Sequence, residues 1–113
     1  MGACHEYALT FCGLTLREIV LLFKNRKKVW KHGKTALLRD LPPDFAGCIA
    51  FSQANSQKHI MFVDMRRRLI CEDTGNWQGC RGIEQKELNR EVRFLSCDEL
   101  KRILRLFDNG SHK

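Results

Sequence analysis

A small α+β domain is what this sequence predicts: an antiparallel sheet of about four to five strands with two main helices packed on it. Three observations lead there. Thr15-Leu16-Arg17-Glu18 and Ser96-Cys97-Asp98-Glu99 are capping boxes, each opening a run of apolar residues at helical spacing. Short stretches rich in β-branched and aromatic residues lie between them. The chain has 113 residues, 43% hydrophobic and 29% charged, which supports one buried core and not two. The expected domain is residues 1–110, with 111–113 as a loose tail.

Taken in order, Cys4–Cys12 places Tyr7, Leu9 and Phe11 on one alternating face and predicts a first strand. A helix then runs from Thr15 to about Lys31, with Leu16, Ile19, Val20 and Phe23 as its core stripe and Gly33 as a left-handed stop. Continuing the stripe reaches Lys27, so the basic half of this helix is expected to project from the core. Pro42 and Pro43 force an extended link. Residues 46–53 predict a strand with Ile49 and Phe51 on one face and Cys48 and Ala50 on the other. A polar turn at 54–57 and a central strand at 59–65 follow. The stretch after Arg66-Arg67-Arg68 is either a third strand or a bent continuation of the second. Residues 74–82 read as a loop by composition. A short helical turn, a strand over 90–96 and a helix carrying Leu100, Ile103, Leu104 and Phe107 complete the domain, with Asn109-Gly110 as the stop.

The formal charge is +7. Such a surplus attracts polyanions without selecting among them. Lys24, Arg26, Lys27, Lys28, Lys31 and Lys34 form the densest cluster, and a helix would set four of these lysines on one side. They could follow a phosphate backbone, with Trp30 and His32 stacking on unpaired bases. Arg66, Arg67 and Arg68 make a second patch; Arg81, Arg90 and Arg93 could add a third. The leading expectation is therefore a small non-enzymatic nucleic-acid-binding or regulatory protein contacting RNA or DNA through phosphates. A rival is a protein-interaction module or inhibitor that meets an acidic partner, with Trp77 in its glycine-flanked loop either anchoring the partner or folding back on the core. A third reading is a small ribonuclease using His59, Asp64 and the following arginines.

The six cysteines show no C-x-x-C pair. Cys4, His5, Cys12, His59, Cys71 and Cys80 are the available metal ligands, at spacings unlike those of zinc sites, so no metal or other cofactor is expected. With no secretory signal and no long apolar run in view, the thiols read as free, in an intracellular, cytoplasmic or nuclear setting, with no membrane partner; the even count leaves a disulfide framework open, but the sequence selects no pairing. The myristoylation pattern fails at Glu6. Cys97, at the first turn of the last helix, is the thiol expected to be most reactive.

Overall fold

The computed structural model describes residues 2–51 and 59–110, with side chains through Phe107. The element order is α1 (Ala3–Thr10), α2 (Leu16–Lys24), α3 (Arg26–Trp30), β1 (Lys34–Leu37), a 3₁₀ turn (Leu38–Asp40), β2 (Ala46–Ala50), β3 (Met61–Asp64), β4 (Leu69–Asp73), β5 (Gln78–Gly82), α4 (Gln85–Leu88), β6 (Glu91–Ser96) and α5 (Cys97–Gly110). The strands form one sheet in the order β1-β6-β2-β3-β4-β5, antiparallel at every pairing. The protein is thus α+β with an antiparallel sheet, but with six strands and five α-helices among the described residues, more than the expected numbers.

Alternation along the strands divides the core in two. Cys48, Ala50, Phe62, Cys71 and Leu95 face one way and pack with buried residues of α1, α2, α3 and α5. Ile49, Met61, Val63, Ile70 and Val92 face the other way, against Leu38, Leu41, Phe45 and Leu88. The predicted division of Ile49 and Phe51 from Cys48 and Ala50 is the one found. Burying side chains such as Ile49 and Leu95 completely is worth roughly 1.5–3 kcal/mol each.

The first expected strand is a helix. His5, Ala8 and Leu9 are its buried positions, with Cys12 buried just past its end, a spacing of three and four that Tyr7, Leu9 and Phe11 had obscured. The next helix does form on its capping box: Thr15 Oγ1 accepts the Glu18 amide at 3.2 Å and Glu18 accepts the Thr15 amide at 2.8 Å. It does not continue to Lys31. Asn25 leaves helical geometry (φ −108°, ψ 21°) and its side-chain amide donates to the Leu21 carbonyl. The chain restarts as α3, which turns Val29 and Trp30 into the core. The projecting helical end is therefore corrected to a broken, inward-turning one. Gly33 is not left-handed; a Cβ there would lie 2.9 Å from Arg93 Cγ, so its smallness serves close approach.

Two edge strands were unforeseen. β1 is half polar and exposed, and β5 carries two glycines, Gly79 and Gly82. The segment after Arg66–Arg68 is a separate strand, reached through a turn in which Arg68 takes a positive φ of 55°. In the last helix Ser96 Oγ accepts the Glu99 amide, as the capping box predicts. The expected turn at 54–57 and the loose tail lie outside the described residues.

Four of the six thiols are not free. Cys12 is joined to Cys97 across 85 residues, tying the end of α1 to the start of α5. Cys71 is joined to its cross-strand partner Cys80. Cys4 and Cys48 remain as thiols.

Candidate active site at the start of the first helix

Gly2 is the extended N-cap of α1 and supplies no side-chain cap to its first turn. Cys4 is the second helical residue, where the aligned peptide dipoles favour a thiolate. It is half-buried. Burial pushes the thiol up, but hydrogen bonds from His5 and His59 and from the Ile60 backbone outweigh it and bring Cys4 down to about 5.

His59 enters just before β3. Its Nε2 lies 3.0 Å from Glu72 Oε1 on β4. The bond to Cys4 raises His59; partial burial opposes this, and Glu72 adds to it, so that it titrates at about 9. Cys4 and His59 thus share one proton in two coupled steps near 5 and 9. Between those values the pair is thiolate and imidazolium.

Glu72 is itself held. Register pairs Ile70 with Arg81, so Arg81 projects on the same sheet face as Glu72, two residues along from Ile70. Arg81 donates to Glu72 Oε2 at 3.2 Å and grips both oxygens of Glu87 at 2.8 Å each. Glu87 in turn accepts the Glu84 amide at 2.8 Å, closing the capping box that starts α4. The Arg81 hydrogen bonds hold the Glu87 carboxyl below its ordinary value against the opposing effect of burial. Glu72 and Glu87 are both buried, and a shared guanidinium is what makes that tolerable.

Trp77 borders this network. Glu72 pairs with Gly79, and a Cβ on Gly79 would meet the Trp77 ring at 2.9 Å, so the indole lies close against Gly79, across the ladder from Glu72. It is 48% exposed, a rim residue and not a lid on the core.

The other residues singled out from the sequence are distributed as follows. Trp30 is 4% exposed within the core, which removes it as a stacking platform. Lys24, Lys27, Lys28, Lys31, Lys34 and His32 are exposed, and Arg26 is half-buried over the Phe23 ring at 4.4 Å. Arg66, Arg67 and Arg68 are exposed in the β3–β4 turn, at the opposite end of β3 from His59. Asp64 lies at that far end too, accepting the Arg67 amide, so His59 and Asp64 are not brought together. Arg81 is committed to carboxylates, Arg90 to the Phe51 ring, and Arg93 to the Trp30 and Gly33 carbonyls. Cys97, expected to be the reactive thiol, is consumed by its disulfide. Among the described residues no group of three His, Cys, Asp or Glu side chains is placed to hold a metal ion, and no helix is long and apolar enough to cross a membrane. Sequence reasoning weighed Cys4 only as a metal ligand and missed Glu72 altogether. The available signal was a thiol near a helix start with a histidine opening a strand whose hairpin returns a carboxylate.

No family model, curated protein or solved structure matches this chain. Its chemistry has to be read from the geometry of the site.

Arg81→Met should leave two buried carboxylates without their shared cation and cost about 3–5 kcal/mol at neutral pH. Because the folded Glu87 carboxyl sits below its unfolded value, its contribution is full above that value and fades as pH falls through the depressed one. Urea unfolding of wild type and variant should therefore show a gap that narrows as pH is lowered below the ordinary carboxylate range.

Proposed function

We propose that this protein is a thiol-dependent acyl-transfer enzyme, a hydrolase of amide or ester bonds with Cys4 as nucleophile. The observation that carries the proposal is His59, 3.0 Å from buried Glu72 and drawing the half-buried Cys4 thiol toward its ionised form. Nucleophile, base and orienting group in that order define this chemistry on unrelated folds.

The Cys4 thiolate attacks the acyl carbon, and the carbonyl electrons move onto oxygen. In this reading the first turn of α1, whose N-cap Gly2 supplies no side-chain cap, is the source of N–H groups for that oxyanion. As the intermediate collapses, the carbon–nitrogen or carbon–oxygen bond breaks and imidazolium His59 gives its proton to the leaving group. Neutral His59 then takes a proton from water, whose oxygen attacks the thioester; the acid departs and the thiolate–imidazolium pair is restored. Glu72 keeps the ring aimed throughout, and Arg81 keeps Glu72 in place. Trp77 offers an aromatic rim for a substrate side chain.

With p-nitrophenyl acetate, mass spectrometry should find a single acetyl group on the Cys4 peptide, absent in Cys4→Ala, and His59→Ala should slow turnover by about a hundredfold or more. The rate should rise as Cys4 ionises near 5 and fall as His59 loses its proton near 9. Acetylation elsewhere, or none, would count against the proposal.

A second reading is supported by the basic segment. Lys24, Lys27, Lys28, Lys31 and Lys34 are exposed, and among the described residues none has an ion-paired carboxylate. Free cations of this kind can replace the counterions of a nucleic-acid backbone. Filter binding over a salt series tests it. Lys27→Glu with Lys28→Glu should weaken binding to all sequences and lower the salt slope by about two. Absence of binding at low salt would turn the segment toward an acidic protein partner.

A further inference from the structure

Two histidines flank the Cys4 thiol, and the acyl-transfer chemistry needs only one. His5 Nδ1 lies 3.4 Å from Cys4 Sγ. The ring is 3% exposed, packed edge-on against Phe23 at a centroid distance of 5.0 Å. It abuts a small apolar cavity lined by Leu22, Phe23, Trp30, Ile60 and Leu100. Its Nε2 is buried and has no hydrogen-bond partner. A buried N–H without an acceptor is costly, whereas a bare lone pair in apolar surroundings costs less. The tautomer that fits carries its proton on Nδ1, aimed at the sulfur.

We infer that His5 is a second, permanent hydrogen-bond donor to the Cys4 sulfur, holding the thiolate independently of His59. His59 sits half-exposed at the start of β3 and also exchanges its proton with the leaving group and with water. During that exchange the His59 bond to sulfur is lost, while the His5 bond, fixed by packing, persists. The division of labour keeps the thiol ionised and frees His59 to act as acid and base. His5 acts through Cys4 and touches no substrate; it is a positioning residue.

Among the described residues the charged groups around the pair are few. His59 and Glu72 approach from β3 and β4. Arg26 approaches from α3, bonded to the Phe23 carbonyl, and Glu6 follows on α1 with its side chain exposed. Among the described residues His5 forms no ion pair with a carboxylate. The role of His59 toward a leaving group rests on the acyl-transfer reading. The role of His5 toward sulfur does not.

Iodoacetamide alkylation without reductant tests the inference cleanly. Cys48 is fully buried and its thiol is pushed up to about 12, and the other four cysteines are in disulfides, so the reaction reports Cys4. The wild-type rate should rise with a midpoint near 5, far under the ordinary thiol value of 9.0. His5→Phe keeps a ring in the apolar pocket and removes the donor; its midpoint should rise by about one pH unit or more, a tenfold loss of thiolate at fixed low pH. His5→Asn restores an N–H at the Nδ1 position and should return the midpoint toward wild type. His59→Phe leaves His5 untouched and keeps the measurement meaningful even where His5→Phe does not fold. Its midpoint should stay well below 9.0. A His5→Phe midpoint equal to wild type, or a His59→Phe midpoint at the ordinary value, would overturn the inference. Failure of ester turnover with these midpoints as expected would reject the hydrolase and leave the role of His5 standing.

Discussion

One imidazole shared between a thiol and a carboxylate is the constraint on which the rest of this structure depends. His59 comes near Cys4 because α1 packs against β3 and β4, and it reaches Glu72 because β4 returns beside β3 in register. The support behind Glu72 is a chain of polar contacts with no loose end. Glu84 caps α4, Glu87 closes that cap, Arg81 binds Glu87 in a fork, and its remaining donor holds Glu72. Glu72 and Glu87 are buried and Arg81 half-buried, while Glu84 is exposed at the rim. A network of this kind fixes geometry to within the tolerance that proton transfer needs, but it also makes every member dependent on the others.

The disulfides bracket this arrangement. Cys71 and Cys80 join neighbouring residues of Glu72 and Arg81 on the opposite face of the sheet, so the register that places carboxylate and guanidinium together is covalently held. Cys12–Cys97 anchors the far end of α1 to α5. The nucleophile is thus carried on a helix whose C-terminal end is covalently pinned. The same pairings leave Cys4 as the one accessible thiol, which is the condition for selective chemistry at a single sulfur.

Much of the architecture was legible because it is written in short-range rules. The capping boxes at Thr15 and Ser96 act within three residues, and both give the expected side-chain-to-amide bond. Alternation in β2 reads directly as two faces, since both are buried. The edge strands were not legible: Lys34–Leu37 and Gln78–Gly82 are held by backbone bonds to one neighbour and carry little apolar patterning. The first helix was misread because its buried stripe uses a histidine and a cysteine, which do not register as hydrophobic. That single error hid the site. With residues 4–12 taken as a strand, Cys4 is no longer at a helix start, and the helix-dipole argument went instead to Cys97, where the physics was sound but the sulfur is already bonded. Glu72 carried no local signal, since its meaning comes from Arg81 nine residues on and His59 thirteen residues back.

The basic segment belongs to the same part of the molecule as the thiol. Phe23 packs on His5, and Arg26 lies over Phe23, so the cations from Lys24 onward begin beside the first turn of α1. The most direct test of the central claim is the protonation state of His59, followed by nitrogen-15 NMR across pH in wild type and in Cys4→Ser. The account predicts an imidazolium that persists to about 9 in wild type and reverts toward the ordinary 6.5 once the thiolate is removed. A His59 that titrates at its ordinary value in both proteins would contradict it.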